Sequence, residues 1–212
     1  MKKTLFLILA ILFCLLPGTT RAQTDSVEIQ PDKIGIWYFG IGGGAVTRGG
    51  TFDLSFTMTS INYWGGSVNF RAGILKSENV PSDYYEDGLR EIAPKDYLDV
   101  VTLNLVKKFP TIYKSVRFGV EAGPSWVRYN TAEFTLNPDY NDPEDWWWPF
   151  PRYKYFKSHV AENTAGLSLA AKVEFPVIFF MSFDLSLYTV INNIQSIVGL
   201  DICIDFGKVG NE

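Results

Sequence analysis

His159 is the only histidine in the 212-residue chain, so any acid–base chemistry of the imidazole kind has to be built around it. A serine nucleophile needs its base within hydrogen-bond reach. Ser158 is adjacent in sequence, but neighbours on an extended chain point to opposite faces, so the hydroxyl would have to come from another serine, such as Ser125 or Ser186. Such an arrangement would make a hydrolase or acyltransferase. The simpler reading is an exposed histidine where a loop meets a strand. One His and two Cys also leave little material for a zinc site. Asp139, Asp142, Glu144 and Asp145 are dense enough in oxygen donors to suggest calcium, yet they lack the spaced ligands and turn glycine of a recognised loop. Gly40, Gly42 and Gly44 have a dinucleotide-like spacing with no βαβ unit around it. No cofactor is implied.

Immediately after the acidic stretch comes Trp146-Trp147-Trp148-Pro149-Phe150-Pro151-Arg152-Tyr153-Lys154. Three consecutive tryptophans cannot share one face, so some must meet a partner, a saccharide or lipid headgroups. Trp and Tyr favour a membrane–water boundary, and exposed aromatic clusters of this size usually mark a contact. Arg152, Lys154 and Lys157 are placed to meet lipopolysaccharide phosphates. Loop 77–95, with Glu78, Asp83, Glu86, Asp87 and Glu91 against Arg90 and Lys95, is a solvated acidic surface. The formal charge of −4, the pI near 5.1 and the absence of any basic block argue against nucleic acid as a partner.

The elements that must position these residues are strands. The last four apolar segments alternate with period two: Val116, Phe118, Val120, Ala122, Pro124, Trp126; Ala165, Leu167, Leu169, Ala171, Val173, Phe175; Phe179, Met181, Phe183, Leu185, Leu187; and Val198, Leu200, Ile202, Ile204, Phe206. None of these is charged. The intervening register is small or ionisable, with Arg117, Glu121, Lys172, Glu174, Asp184, Asp201 and Asp205 among Gly, Ser and Ala. Such a separation is what a sheet with one apolar and one polar face requires. Earlier strands fall near 34–46, 51–60, 66–76 and 96–109, with Phe52, Leu54, Phe56, Met58 and Val68, Phe70, Ala72, Ile74 as apolar registers. Pro124 lacks a ladder donor and suggests a bulge or a strand end. The count is eight.

Residues 1–22 read as a signal peptide: Lys2 and Lys3, an unbroken apolar run from Leu5 to Leu16, then Thr20-Arg21-Ala22 before Gln23. Twelve residues rise only about 18 Å, too short for a bilayer core of about 30 Å. Cleavage takes the formal charge from −4 to −7 and leaves Cys203 alone, so no internal disulfide is expected. A short periplasmic segment, 23–33, then leads into a barrel over 34–208.

Alternation does not say which face is outside. Bulky residues suit a convex surface, and small ones mixed with opposed charges suit the narrow interior of eight strands. Arg71, Arg117 and Lys172 can then pair across the lumen with Glu121, Glu174, Asp184 and Asp201 in a packed polar interior. Phe109, Tyr113, Phe175, Phe179 and Phe206 would form one interfacial rim, and Trp126, Tyr129, Tyr155 and Phe156 the other. Connections 77–95 and 131–160 are the longest and fall on the same side. The turns around Asn62-Tyr63-Trp64-Gly65, Pro110-Thr111 and Pro176-Val177 are short and fall on the opposite side. Short periplasmic turns with long extracellular loops are the outer-membrane pattern. The alternative is a soluble, lipocalin-like binding barrel.

Tyr97-Leu98-Asp99-Val100-Val101-Thr102-Leu103-Asn104-Leu105-Val106-Lys107 resembles a strand of the PorT-like small outer-membrane barrel family, although Val101 stands where that family usually has proline. Phe118-Gly119-Val120-Glu121-Ala122-Gly123-Pro124 is similar to its next strand. Gly199 to Phe206 resembles a carboxyl-terminal strand signal read by the barrel-insertion machinery, here followed by six more residues. The resemblance implies an outer-membrane barrel more than a particular role: some relatives belong to a secretion apparatus and many have no known role. A structural or interaction role, with a secretion component or a surface protein as partner, is the expectation for this chain. Under that location, the enzyme alternative becomes a lipid A-modifying hydrolase or acyltransferase using His159.

Overall fold

A computed structural model describes residues 35–60, 62–82, 84, 94–110, 116–138 and 154–209, all within one compact unit, Asp32–Glu212. Eight strands, β1 (Trp37–Val46), β2 (Gly49–Thr59), β3 (Trp64–Lys76), β4 (Lys95–Pro110), β5 (Arg117–Leu136), β6 (Tyr155–Ile178), β7 (Met181–Asn192) and β8 (Ile197–Lys208), close into an antiparallel up-and-down ring. Closure is made by β1 against β8, from Trp37↔Lys208 to Val46↔Gly199. Closing the ring removes the edges that an open sheet would expose. Among the described residues, no helix is long and apolar enough to cross a membrane. The proposed leader and the segment 23–33 lie outside the described residues.

The ring is apolar outside and ionic inside. Leu103, Leu105 and Ile202 are 60–62% exposed, whereas Arg71 is 1% and Asp201 and Asp205 are 0% exposed. A soluble barrel would show the reverse. On β4 the outward residues run Asp99, Val101, Leu103, Leu105, Lys107, so the polar limits of the belt lie eight residues apart. That is about 27 Å along the strand and about 21 Å along the normal at barrel tilt, close to the roughly 25 Å apolar band of outer-membrane barrels.

Glycines in β1 have a steric reason. A Cβ at Gly42 would stand 2.6 Å from Cys203 Cα, and one at Gly44 would stand 2.7 Å from Asp201 Cα. The closing strand therefore admits no side chain at those points.

Several boundaries differ from the expectations. Trp64 and Gly65 belong to β3, and Pro176-Val177 lies inside β6; the turn is Phe179-Phe180. Pro124 neither ends nor bulges β5. The β4–β5 ladder skips the steps between Thr102↔Ser125 and Leu105↔Ala122 and resumes in the same register, as loss of one donor requires. The register shift falls instead between Pro176 and Ile178. The interior is not polar throughout: Val46, Leu75, Leu98, Val100, Val127, Tyr129, Tyr188, Val190 and Ile197 form an apolar cluster. Tyr129 is thus buried rather than part of a rim, and Phe156 lies exposed on a projecting hairpin.

Candidate functional site

Three ionic groups occupy the lumen. The Arg71 guanidinium lies 3.1 Å from Asp53 on the neighbouring strand and donates through Nε to Asp201 Oδ2 at 2.9 Å. It also stacks 4.0 Å from the centre of the Tyr188 ring. Lys172 Nζ is 3.0 Å from Glu121 and 3.9 Å from Asp184. The other Glu121 oxygen accepts from Ser67 Oγ at 2.9 Å and from Asn69 and Asn104 Nδ2 at 3.3 Å each. Lys108 Nζ is 2.6 Å from Glu174, which also accepts from Tyr38 Oη at 2.5 Å. Hydroxyls supply further donors: Thr51 donates to the other Asp201 oxygen at 2.9 Å, and Ser182 donates at 3.0 Å to Asp205, which has no ion pair among the described residues. Buried charges hold only when paired and hydrogen-bonded in this way. The lumen is therefore a tie rod across the ring.

Of the residues singled out from the sequence, Arg71 meets Asp201, and Lys172 meets Glu121 and Asp184. Glu174 goes to Lys108, which the sequence reading missed. The signal was available: Lys108 shares the inward parity of Thr102, Asn104 and Val106 on β4. Arg117 is half-buried and paired in register with Glu174, but makes no ion pair among the described residues.

The end of the ring that carries the long connections is built differently. β5 and β6 pair from Arg117↔Glu174 to Leu136↔Tyr155. β4 leaves β5 at Tyr97↔Asn130, and β7 leaves β6 at Gly166↔Asn192. The two strands thus continue beyond the ring as a ribbon. From Tyr155 to Ala165, β6 has β5 on one side and no strand on the other among the described residues. Residues 131–136 and 155–160, expected as loop, are strand. Tyr84 packs edge-on against Phe134, with ring centres 4.9 Å apart, tying connection 77–95 to the ribbon. At the same end Arg48, between β1 and β2, lies 2.6 Å from Glu78 of connection 77–95 and donates to Gln195 Oε1, between β7 and β8, at 2.8 Å.

His159 sits on this ribbon, opposite Ala132, exposed, with its ring 5.7 Å from that of Tyr97. Ser125 and Ser186 are buried in the lumen, and Ser158 points to the opposite face of the ribbon. The geometry does not assemble His159 with any of the three hydroxyls. Asp139, Asp142, Glu144, Asp145, Trp146, Trp147, Trp148, Phe150, Arg152 and Tyr153 lie outside the described residues. Lys154 is described and lies 5.7 Å from the centre of the Tyr155 ring. Among the described residues, no three His, Cys, Asp or Glu side chains are grouped to hold a metal ion.

No protein-family model matches the chain, and no curated protein aligns with it significantly. Solved structures do. Neisserial surface protein A aligns with a TM-score of 0.51 at 13% identity, over 81% of this chain and 94% of its own. The N-terminal β-barrel domain of Pseudomonas aeruginosa OprF aligns at 0.50 and 11% identity, over 82% of this chain and 98% of its own. These likenesses are of fold: an eight-stranded barrel of the outer-membrane kind.

Proposed function

We propose that this chain is a small outer-membrane barrel protein with a structural or interaction role and no catalytic function. Its extracellular segments, 77–95 and 131–160, are the contact surface for a partner protein, a surface polymer or lipopolysaccharide. The observation that carries this reading is the β5–β6 ribbon, whose β6 edge from Phe156 to Asn163 is paired by no strand among the described residues. Open edges of that length are normally paired or blocked, and an extended polypeptide can add to one as a further strand. On one ribbon face Phe156 and Val160 supply apolar contacts; on the other stand Lys157 and His159. The aromatic run Trp146–Trp148, with Phe150, Arg152, Tyr153 and Lys154, lies between the two ribbon strands in sequence and adds to the contact. The strand signal at 199–206 serves recognition by the barrel-insertion machinery. A link to a secretion apparatus is a further reading that rests only on the resemblance of Tyr97–Lys107 to PorT-like barrels.

Photoreactive side chains at Phe156 and Val160, activated in intact cells, should yield protein or polysaccharide adducts. The same group at Leu103 should yield lipid adducts only. Ribbon positions that remain adduct-free in a surface-exposed, heat-modifiable protein would defeat the contact role. The lipid A-editing alternative predicts that His159→Ala alters the lipid A mass spectrum; an unchanged spectrum removes it.

A further inference from the structure

The ladder registers place a row of cations on the outside of the barrel at the outer limit of the apolar belt. Lys76 on β3 stands directly opposite Lys95 on β4. Two residues further along β4 from Lys95, Tyr97 pairs with Asn130, which sets Ala132 and then His159 in the same row as the two lysines. One row outward Phe134 faces Lys157, and two rows inward Arg128 lies between Asp99 and Asn163. All of Lys76, Lys95, Arg128, Lys157 and His159 are exposed, and among the described residues none makes an ion pair. Two carboxylates stand beside these rows among the described residues: Asp99, opposite Arg128, and Glu78, two residues beyond Lys76, which is taken by Arg48 at 2.6 Å. The next row inward is Phe70, Val101, Trp126 and Ala165, where the lipid belt begins.

Two lysines directly opposed across an antiparallel pair repel and destabilise the sheet. The ladder here could have carried an acid at either position without disturbing a fold whose side chains at this level face outward. A doubly charged oxyanion between the two turns the repulsion into two charge-assisted hydrogen bonds. Adjacent strands are about 4.8 Å apart, so Lys76 to His159 spans roughly 14 Å, the scale of a headgroup with more than one phosphate. An aromatic at the row below is the usual companion of a headgroup level.

We propose that this outward face of β3–β6, through Lys76, Lys95 and Arg128 with Lys157 above them, binds the phosphates of a phosphorylated glycolipid of the outer leaflet. It rests on the orientation adopted above, in which the ribbon end is extracellular. The site is on the strands themselves.

The test uses the full-length protein folded in phosphatidylcholine nanodiscs containing diphosphoryl lipid A, dephosphorylated lipid A with the same acyl chains, or no lipid A plus millimolar inorganic phosphate. Native mass spectrometry should find diphosphoryl lipid A retained, and the K76A/K95A variant should retain it at least about tenfold less tightly. R128Q should fall in the same direction, while Lys107→Ala, at the other end of the belt, should match the parent. Folding of each variant is checked by heat-modifiable migration. Without lipid A, K76A/K95A should unfold at a higher temperature than the parent, because the repulsion is gone; with lipid A the parent should gain and the variant should not. Equal retention by parent and K76A/K95A, equal retention of the dephosphorylated lipid, or displacement by inorganic phosphate would each overturn the proposal, the last in favour of a free-anion site. Labelling of a Lys157→Cys variant on intact cells separates the two levels: absence of labelling with retention intact defeats the outward orientation, not the phosphate recognition.

Discussion

Leu103→Arg is the sharpest test of which face meets lipid. Leu103 is 62% exposed and lies four residues from Asp99 and four from Lys107, the polar limits of the belt on β4. It therefore stands near the bilayer midplane. An arginine there costs about 2–4 kcal/mol, against about 0–1 near an interface, a loss of roughly 30-fold to 900-fold in the folding equilibrium. Tyr97→Arg, at the outer rim, is the matched control. Both variants would be folded into phosphatidylcholine vesicles across a urea series, with the heat-modifiable fraction read at each point. The expected result is a large fall in midpoint for Leu103→Arg and a small one for Tyr97→Arg. In a water-soluble barrel an exposed Leu→Arg change is nearly neutral. Equal midpoints for parent and Leu103→Arg, or a parent chain monodisperse in buffer without detergent, would refute the orientation.

Other outcomes follow from the lumen and the closing seam. Arg71→Met strips Asp53 and Asp201 of their counter-charge and should lower stability by about 3–5 kcal/mol in the same urea series; adding Asp53→Leu and Asp201→Leu should recover most of it. Lys108→Met should destabilise comparably, and Glu174→Gln in that background should restore part of the loss, as a double-mutant cycle would record. Gly44→Val should prevent β1 from closing on β8, seen as loss of heat-modifiable migration, because its Cβ would sit 2.7 Å from Asp201 Cα.

The inward parity of a strand was legible wherever its two faces contrast. Phe183-Asp184-Leu185-Ser186-Leu187 can be read only one way, and its outward Phe183 and Leu187 and buried Asp184 and Ser186 follow. The ribbon residues Lys157 to Asn163 carry no such signal. Both of their faces are wet, so no pattern of burial was imposed on the sequence, and only the pairing with β5 makes them strand. Likewise Gly42 and Gly44 offer only an uninformative dinucleotide-like spacing until the seam with β8 shows that no side chain fits there.

Local chemistry thus determined the number of strands, their alternation, the inside-out sorting of charge and the side on which the long connections fall. These follow from a two-residue period and from the cost of placing ions in lipid, both expressed residue by residue. Partner choice in the lumen belongs to the closed ring: Glu174 could have met Arg117 at its own ladder step but reaches Lys108, and Arg71 joins acids on β2 and β8, 18 and 130 positions away. The opposed lysines at 76 and 95 likewise become neighbours only once register is set. Strand tilt and stagger decide which side chains share a height, and they are properties of eight strands closing together rather than of any one of them.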